Sequence, residues 1–205
     1  ITDPEKFTSL LHELLEIQDT NLAEDYSLAT YREMNAEELL SSWRQGRRNL
    51  TLAAQTLSNE DRVIWYGPSM GSKSFLTARL MEVWAHGQDI LDALNIERTS
   101  TDRLRHIAQL GFITRNWAYI NRGLAPVEEP IFVTLSSPSG EVWEFGTQND
   151  TNTVAGSALD FCLVVTQRRN IVNTELTVIG QTAIEWLSIA QAFAGPPTDG
   201  PQESS

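Results

Sequence analysis

The sequence predicts an α+β protein in which helices come first and a small mixed part follows. Three observations carry this expectation. Apolar residues recur at three- and four-residue spacing from Phe7 to Ile120, the signature of amphipathic helices. A stretch bounded by Pro126 and Pro130 interrupts that rhythm. Beyond it, Ile131-Phe132-Val133-Thr134-Leu135 and Glu141-Val142-Trp143-Glu144-Phe145 read as strands joined by a Pro138-Ser139-Gly140 turn. The expected division is a helical part over 1–125, a small α+β part over 126–195 and a disordered, proline-containing tail over 196–205.

The elements follow in order. Thr2 or Asp3 caps a first helix with Pro4 at its first position, and Phe7, Leu10, Leu11, Leu14 and Leu15 give it an apolar stripe. Residues 18–34 are acidic and polar, with a short helix expected near 26–31. Asn35 and Glu38 form a capping box for a helix over about 36–57, striped by Leu39, Leu40, Trp43, Leu50, Ala53, Ala54 and Leu57. A short extended segment at 62–66 leads through Gly67-Pro68-Ser69-Met70-Gly71 to Ser72, the expected cap of a helix over 73–94. Gly67, Gly71, Lys73 and Ser74 approach a phosphate-binding loop, but Ser72 stands where that pattern needs glycine, and no nucleotide site is assigned. One long helix is expected over 99–121, a buried helix over 154–168, a strand near 175–180 and a final helix over 182–192.

Composition sets the function classes. The 205 residues suffice to bury a core, and 41% hydrophobic with 20% charged residues is ordinary for a globular chain. Fifteen basic against 27 acidic residues give a formal charge of −12, which argues against phosphate-backbone binding and hence a nucleic-acid partner. No apolar run approaches the roughly 20 residues of a membrane span. Cys162 stands alone, so neither an internal disulfide nor a multi-cysteine zinc site can form, and a reducing, cytoplasmic setting is expected. The sequence opens at Ile1 inside a helix start, so a segment upstream is expected to be absent.

Chemistry concentrates on the helix over 73–94. Glu82, His86 and Asp89 are spaced i, i+4, i+7 and share one face, with Phe75, Ala78, Ala85 and Leu91 close to it. That face is expected to point inward, where two carboxylates and an imidazole are costly unless paired, hydrogen-bonded or metal-bound. Two readings stay open. Glu82 and His86 make half of a site for zinc, nickel, iron or manganese, with Asp89 orienting the imidazole or facing substrate. Alternatively Glu82 and Asp89 pair with Arg79, Arg105 or Arg115 between helices. His12 and His106 read as ordinary helix histidines.

The run from Ala78 through Glu82, His86 and Asp89 to Ile90 resembles the E-x-x-x-H-x-x-D helix of the mycothiol-dependent maleylpyruvate isomerase family, part of the DinB-like metal-binding four-helix-bundle group. Gly156-Ser157-Ala158-Leu159-Asp160-Phe161-Cys162 and Val165-Thr166-Gln167-Arg168-Arg169 resemble a branch of that family sometimes labelled wyosine base formation. The resemblance implies a DinB-like bundle, its first helix and first histidine ligand missing, followed by a small α/β domain. It implies a divalent metal, zinc first, held by Glu82 and His86, and a low-molecular-weight thiol such as mycothiol as cofactor. It implies thiol-dependent isomerisation of, or S-transfer to, a small electrophilic substrate, with Arg168 and Asp89 as candidate catalytic residues. The alternative is a non-catalytic metal- or small-ligand-binding protein. The missing segment as a separate chain, and a homo-oligomer, are the expected macromolecular partners.

Overall fold

Capping chemistry at the start of the chain sets the first helices in the computed structural model, which describes residues 2–17, 20–66 and 69–202. Asp3 accepts the Lys6 amide at 3.0 Å, and Pro4 opens helix α1, Pro4–Glu16. Helix α2, Thr20–Arg32, is longer than the short helix expected near 26–31. The capping box before α3, Ala36–Gln55, forms as expected: Asn35 Oδ1 accepts the Glu37 and Glu38 amides, and Glu38 accepts the Asn35 amide at 2.9 Å. Strands β1, Arg62–Val63, and β2, Met70–Gly71, pair antiparallel before α4, Ser72–Ala93. Ser72 opens α4 rather than capping it, and its buried hydroxyl donates to the Ser58 carbonyl at 2.7 Å. Expectations on Gln18, on the Gly67-Pro68 turn and on the last three residues of the tail lie outside the described residues.

By contacts the chain divides into two compact units, Ile1–Leu76 and Thr77–Ser205. In the first, the Phe7 and Tyr66 rings meet edge-on at 5.4 Å and Val63 is buried, while neither α1 nor α3 buries a residue. The expected boundary near residue 125 falls inside the second unit, where helix gives way to sheet.

The second unit is α+β. Strand β3, Phe132–Ser136, pairs with β4, Val142–Phe145, through the expected hairpin. Strand β5, Thr153–Ser157, runs parallel to β3, and β6, Thr177–Ile179, closes the order β4-β3-β5-β6. Helices α5, Leu104–Ile113, α6, Arg115–Asn121, α7, Ala158–Val165, and α8, Gln181–Ile189, accompany the sheet. Val133, Leu135, Val154, Ile107, Phe161 and Trp186 form the heart of the core.

Three expectations change. The helix expected over 99–121 is broken at Thr114, whose hydroxyl donates back to the Leu110 carbonyl at 2.8 Å, a bond that competes with a straight helix. The segment from Val154 begins as strand β5, and Ser157 caps α7 by accepting the Asp160 amide at 2.9 Å. The tail expected to be disordered is hydrogen-bonded through Pro201: Asn121 donates to Gly195 O, Arg122 pairs with Asp199, and Asn170 donates to Pro201 O. Among the described residues no helix is long and apolar enough to cross a membrane.

Gly111 of α5 faces Val165 of α7 at close range. A Cβ there would sit 2.6 Å from Val165 Cγ2, well inside van der Waals contact. Gly111→Ala is therefore expected to lower stability by about 1–3 kcal/mol in urea unfolding, the cost of overpacking outweighing the gain in helix propensity. In a Val165→Ala background, which removes the two Cγ contacts but leaves the Cβ contact at 2.9 Å, the same change is expected to cost less than in the wild-type background without becoming stabilising.

Candidate functional site

Helix α4 buries Met81, Ala85 and Gln88, an i, i+4, i+7 stripe. Glu82, His86 and Asp89 each follow one residue later, about 100° round the helix. The polar line therefore runs along the rim of the buried stripe rather than inward as expected, with side-chain exposures of 32%, 69% and 49%. The small Ala85 and the amide of Gln88 account for the rotation. Ala85 is buried, and Gln88 donates from Nε2 to Asp92 Oδ1 at 2.8 Å while its buried Oε1 has no hydrogen-bond partner among the described residues.

The rim is a connected network. Glu82 Oε2 lies 3.4 Å from His86 Nε2, and Asp89 Oδ2 lies 3.2 Å from His86 Nδ1. Arg168, 15% exposed and just beyond α7, grips Asp89 in bidentate fashion, Nε to Oδ1 at 3.0 Å and Nη2 to Oδ2 at 2.8 Å. Its Nη1 donates to the Thr166 carbonyl at 2.6 Å, and its Nη2 stands 3.4 Å from His86 Nδ1. In the tautomer protonated on Nδ1, that proton would donate to Asp89 and the Nε2 lone pair would face Glu82. One turn along, Arg169 grips Asp92 the same way, with both bonds at 2.7 Å.

Sequence reasoning chose Glu82, His86, Asp89 and Arg168, and the fold brings all four together. It missed Arg169, Asp92 and Gln88. The available signal was the pair Arg168-Arg169 against two carboxylates three residues apart. Two of the three arginines proposed as inter-helix partners are engaged elsewhere: Arg105 stands over the Trp143 ring, and Arg115 donates to the Val127 and Glu129 carbonyls. His12 and His106 are exposed, the latter not packed into the apolar stripe beside it. Cys162 is buried with its thiol on the Leu104 carbonyl, and burial pushes that thiol far above the usual cysteine range, so it is no nucleophile.

Electrostatics follow the geometry. The Arg168 hydrogen bonds hold the Asp89 carboxyl below the usual aspartate range against the opposing effect of burial, with His86 adding to the depression. Arg169 does the same for Asp92, helped by Gln88. As metal donors, Glu82 and His86 supply one carboxylate oxygen and one imidazole nitrogen, a pair suited to zinc and similar divalent ions. They are a partial set. Among the described residues no group of three or more His, Cys, Asp or Glu side chains is arranged to hold a metal ion.

Residues 5–91 match the family model described as Mycothiol maleylpyruvate isomerase N-terminal domain, a span that includes Glu82, His86 and Asp89. Two Mycobacterium tuberculosis proteins, from strains CDC 1551 and H37Rv and each described as an uncharacterized protein, are 47% identical to the chain over 163 residues. The aligned part is 80% of this chain and 63% of each relative. No solved structure matches the chain.

Both depressed carboxyls tie stability to acid. A carboxyl whose folded pKa lies below its unfolded value stabilises the fold above the unfolded value, and loses that contribution as pH falls through the folded one. The urea midpoint of an Asp89→Asn, Asp92→Asn double variant is therefore expected below wild type at pH 6. The gap should close progressively below about pH 4. A gap of constant size down to pH 2 would deny the pairs any role in the acid response.

Proposed function

The chain belongs, over residues 5–91, to the mycothiol maleylpyruvate isomerase N-terminal domain family, and from that premise we propose that it serves as a divalent-metal-dependent isomerase or thiol S-transferase. Its thiol would be mycothiol or a similar low-molecular-weight thiol, and its substrate a small electrophile. A divalent ion, when bound, would lower the pKa of a thiol and favour the thiolate. Addition of that thiolate to a conjugated double bond forms a C–S bond, and elimination after rotation breaks it to give the other geometric isomer. Transfer without elimination gives the S-conjugate.

The observation that supports this reading is the line Glu82–His86–Asp89–Arg168. Glu82 and His86 would hold the metal. Asp89 would accept the Nδ1 proton, fixing the ring and directing Nε2 outward, as a carboxylate behind a metal-binding histidine does. Arg168 would position an anionic substrate. Four of its contacts already bind Asp89, Thr166 and the edge of His86. A substrate carboxylate would therefore meet the outer edge of Nη1 or share the guanidinium with Asp89.

The two-donor count favours a second reading, a metal- or small-ligand-binding protein without turnover. Zinc titration by calorimetry, with elemental analysis, tests the first step. His86→Ala and Glu82→Gln are expected to weaken zinc binding at least tenfold, and Asp89→Asn by about 10–100-fold. Unchanged zinc uptake by His86→Ala would remove the metal site. Given zinc binding, consumption of maleylpyruvate or another electrophile that requires added mycothiol separates enzyme from binder.

A further inference from the structure

We propose that the C-terminal strap over residues 195–201, acting through Gln167, is the device that aims Arg168 at Asp89 and His86, and that Gln167 is a positioning residue for that site. Helix α7 ends in a Schellman turn: the Gln167 amide donates to the Val164 carbonyl at 2.9 Å and the Arg168 amide to the Leu163 carbonyl at 2.7 Å. This turn places its pivot residue in the left-handed region, where glycine is the ordinary occupant. Here the pivot is Gln167, with φ of 58°. A non-glycine residue at this pivot carries a backbone cost that its side-chain contacts can offset.

The Gln167 side chain is spent on the strap. Its Nε2 donates to the Ala190 and Thr198 carbonyls, each at 3.0 Å, and its Oε1 accepts the Thr198 hydroxyl. Gln191 holds the same turn of chain from the other side, donating to the Pro196 carbonyl at 3.2 Å and accepting the Thr198 amide at 3.4 Å. Arg122 pairs with Asp199 and donates to the Thr198 carbonyl, and Asn170 donates to the Pro201 carbonyl at 3.0 Å. Anchors at 167 and 170 thus bracket Arg168 and Arg169, the two residues that reach across to α4. The strap fixes the pivot, the pivot fixes the turn, and the turn sets the direction of both guanidinium groups.

The proposal deepens the reading of Arg168 given above and rests on it for its functional meaning. Its test needs neither metal nor substrate, so its failure is distinct from failure of that reading. The probe is solvent exchange of the Arg168 Nε–H, which donates to Asp89 Oδ1, followed by 15N NMR in the whole chain. The amides of Val133 and Leu135, in the buried strand β3, serve as the reference for global opening. In Gln167→Gly the turn keeps its backbone and loses its hold on the strap. The Arg168 Nε–H is expected to exchange at least fivefold faster while the two reference amides keep their wild-type rates. An increase below fivefold overturns the proposal. So does an increase matched by the reference amides, which would give Gln167 a structural role alone.

Discussion

Helix α4 depends on two arginine–carboxylate grips that fasten its second half to the end of α7. The spacing makes them possible. Arg168 and Arg169 have Cα atoms about 3.8 Å apart, and Asp89 and Asp92 are separated by about 4.5 Å of helical rise, so two consecutive side chains can engage two carboxylates a turn apart. Planar guanidinium groups can take both oxygens of each carboxylate, which a lysine ammonium cannot, so the grips fix direction as well as distance. All four side chains keep some exposure, and pairs in such surroundings add little net stability. Apolar burial of Met81 and Ala85 holds the helix; the ion pairs tie its second half to the two arginines just beyond α7.

That division of labour explains the candidate site. Asp89 Oδ2 receives both Arg168 Nη2 and His86 Nδ1, so one carboxylate couples a residue late in the chain to an imidazole on α4. With Asp89 held ionised, the ring has a fixed partner on Nδ1, and its other nitrogen is presented beside Glu82. Under the proposed function, the exposed position of His86 would leave it open to a ligand from solvent.

Local signals in the sequence were read almost residue by residue. Asp3 with Pro4, the Asn35–Glu38 box and the hairpin at Gly140 each depend on a few neighbouring side chains, which is why pattern alone found them. What failed needed information from far away. Strand β5 is small and weakly β-forming, Thr-Val-Ala-Gly-Ser, and becomes a strand because β3 and β6 flank it. Gly156 there has a φ of 150° and faces Leu176 too closely for a side chain. The line Glu82–His86–Asp89 on α4 was expected to face inward, yet the buried stripe is Met81, Ala85 and Gln88, one residue earlier round the helix. Asp92 and Arg169 were passed over because each looks like a solvated charge until the other is placed beside it.

Of the two readings that spacing left open, metal donors or inter-helix ion pairs, an ion pair forms at Asp89, with Arg168 in place of the arginines expected. Asp92 took one as well. Glu82 did not: among the described residues its charged neighbour is His86, and no arginine reaches it. The Glu82 side chain is 32% exposed, and its Oε2 lies 3.4 Å from His86 Nε2. A cation placed against Glu82 Oε2 and His86 Nε2 would compensate both at once, whereas a cation at Asp89 would have to displace Arg168. The Arg168–Asp89 grip and the Glu82–His86 pair use different carboxylates, so under the proposed metal reading the ion pair does not compete with a cation at Glu82 and His86.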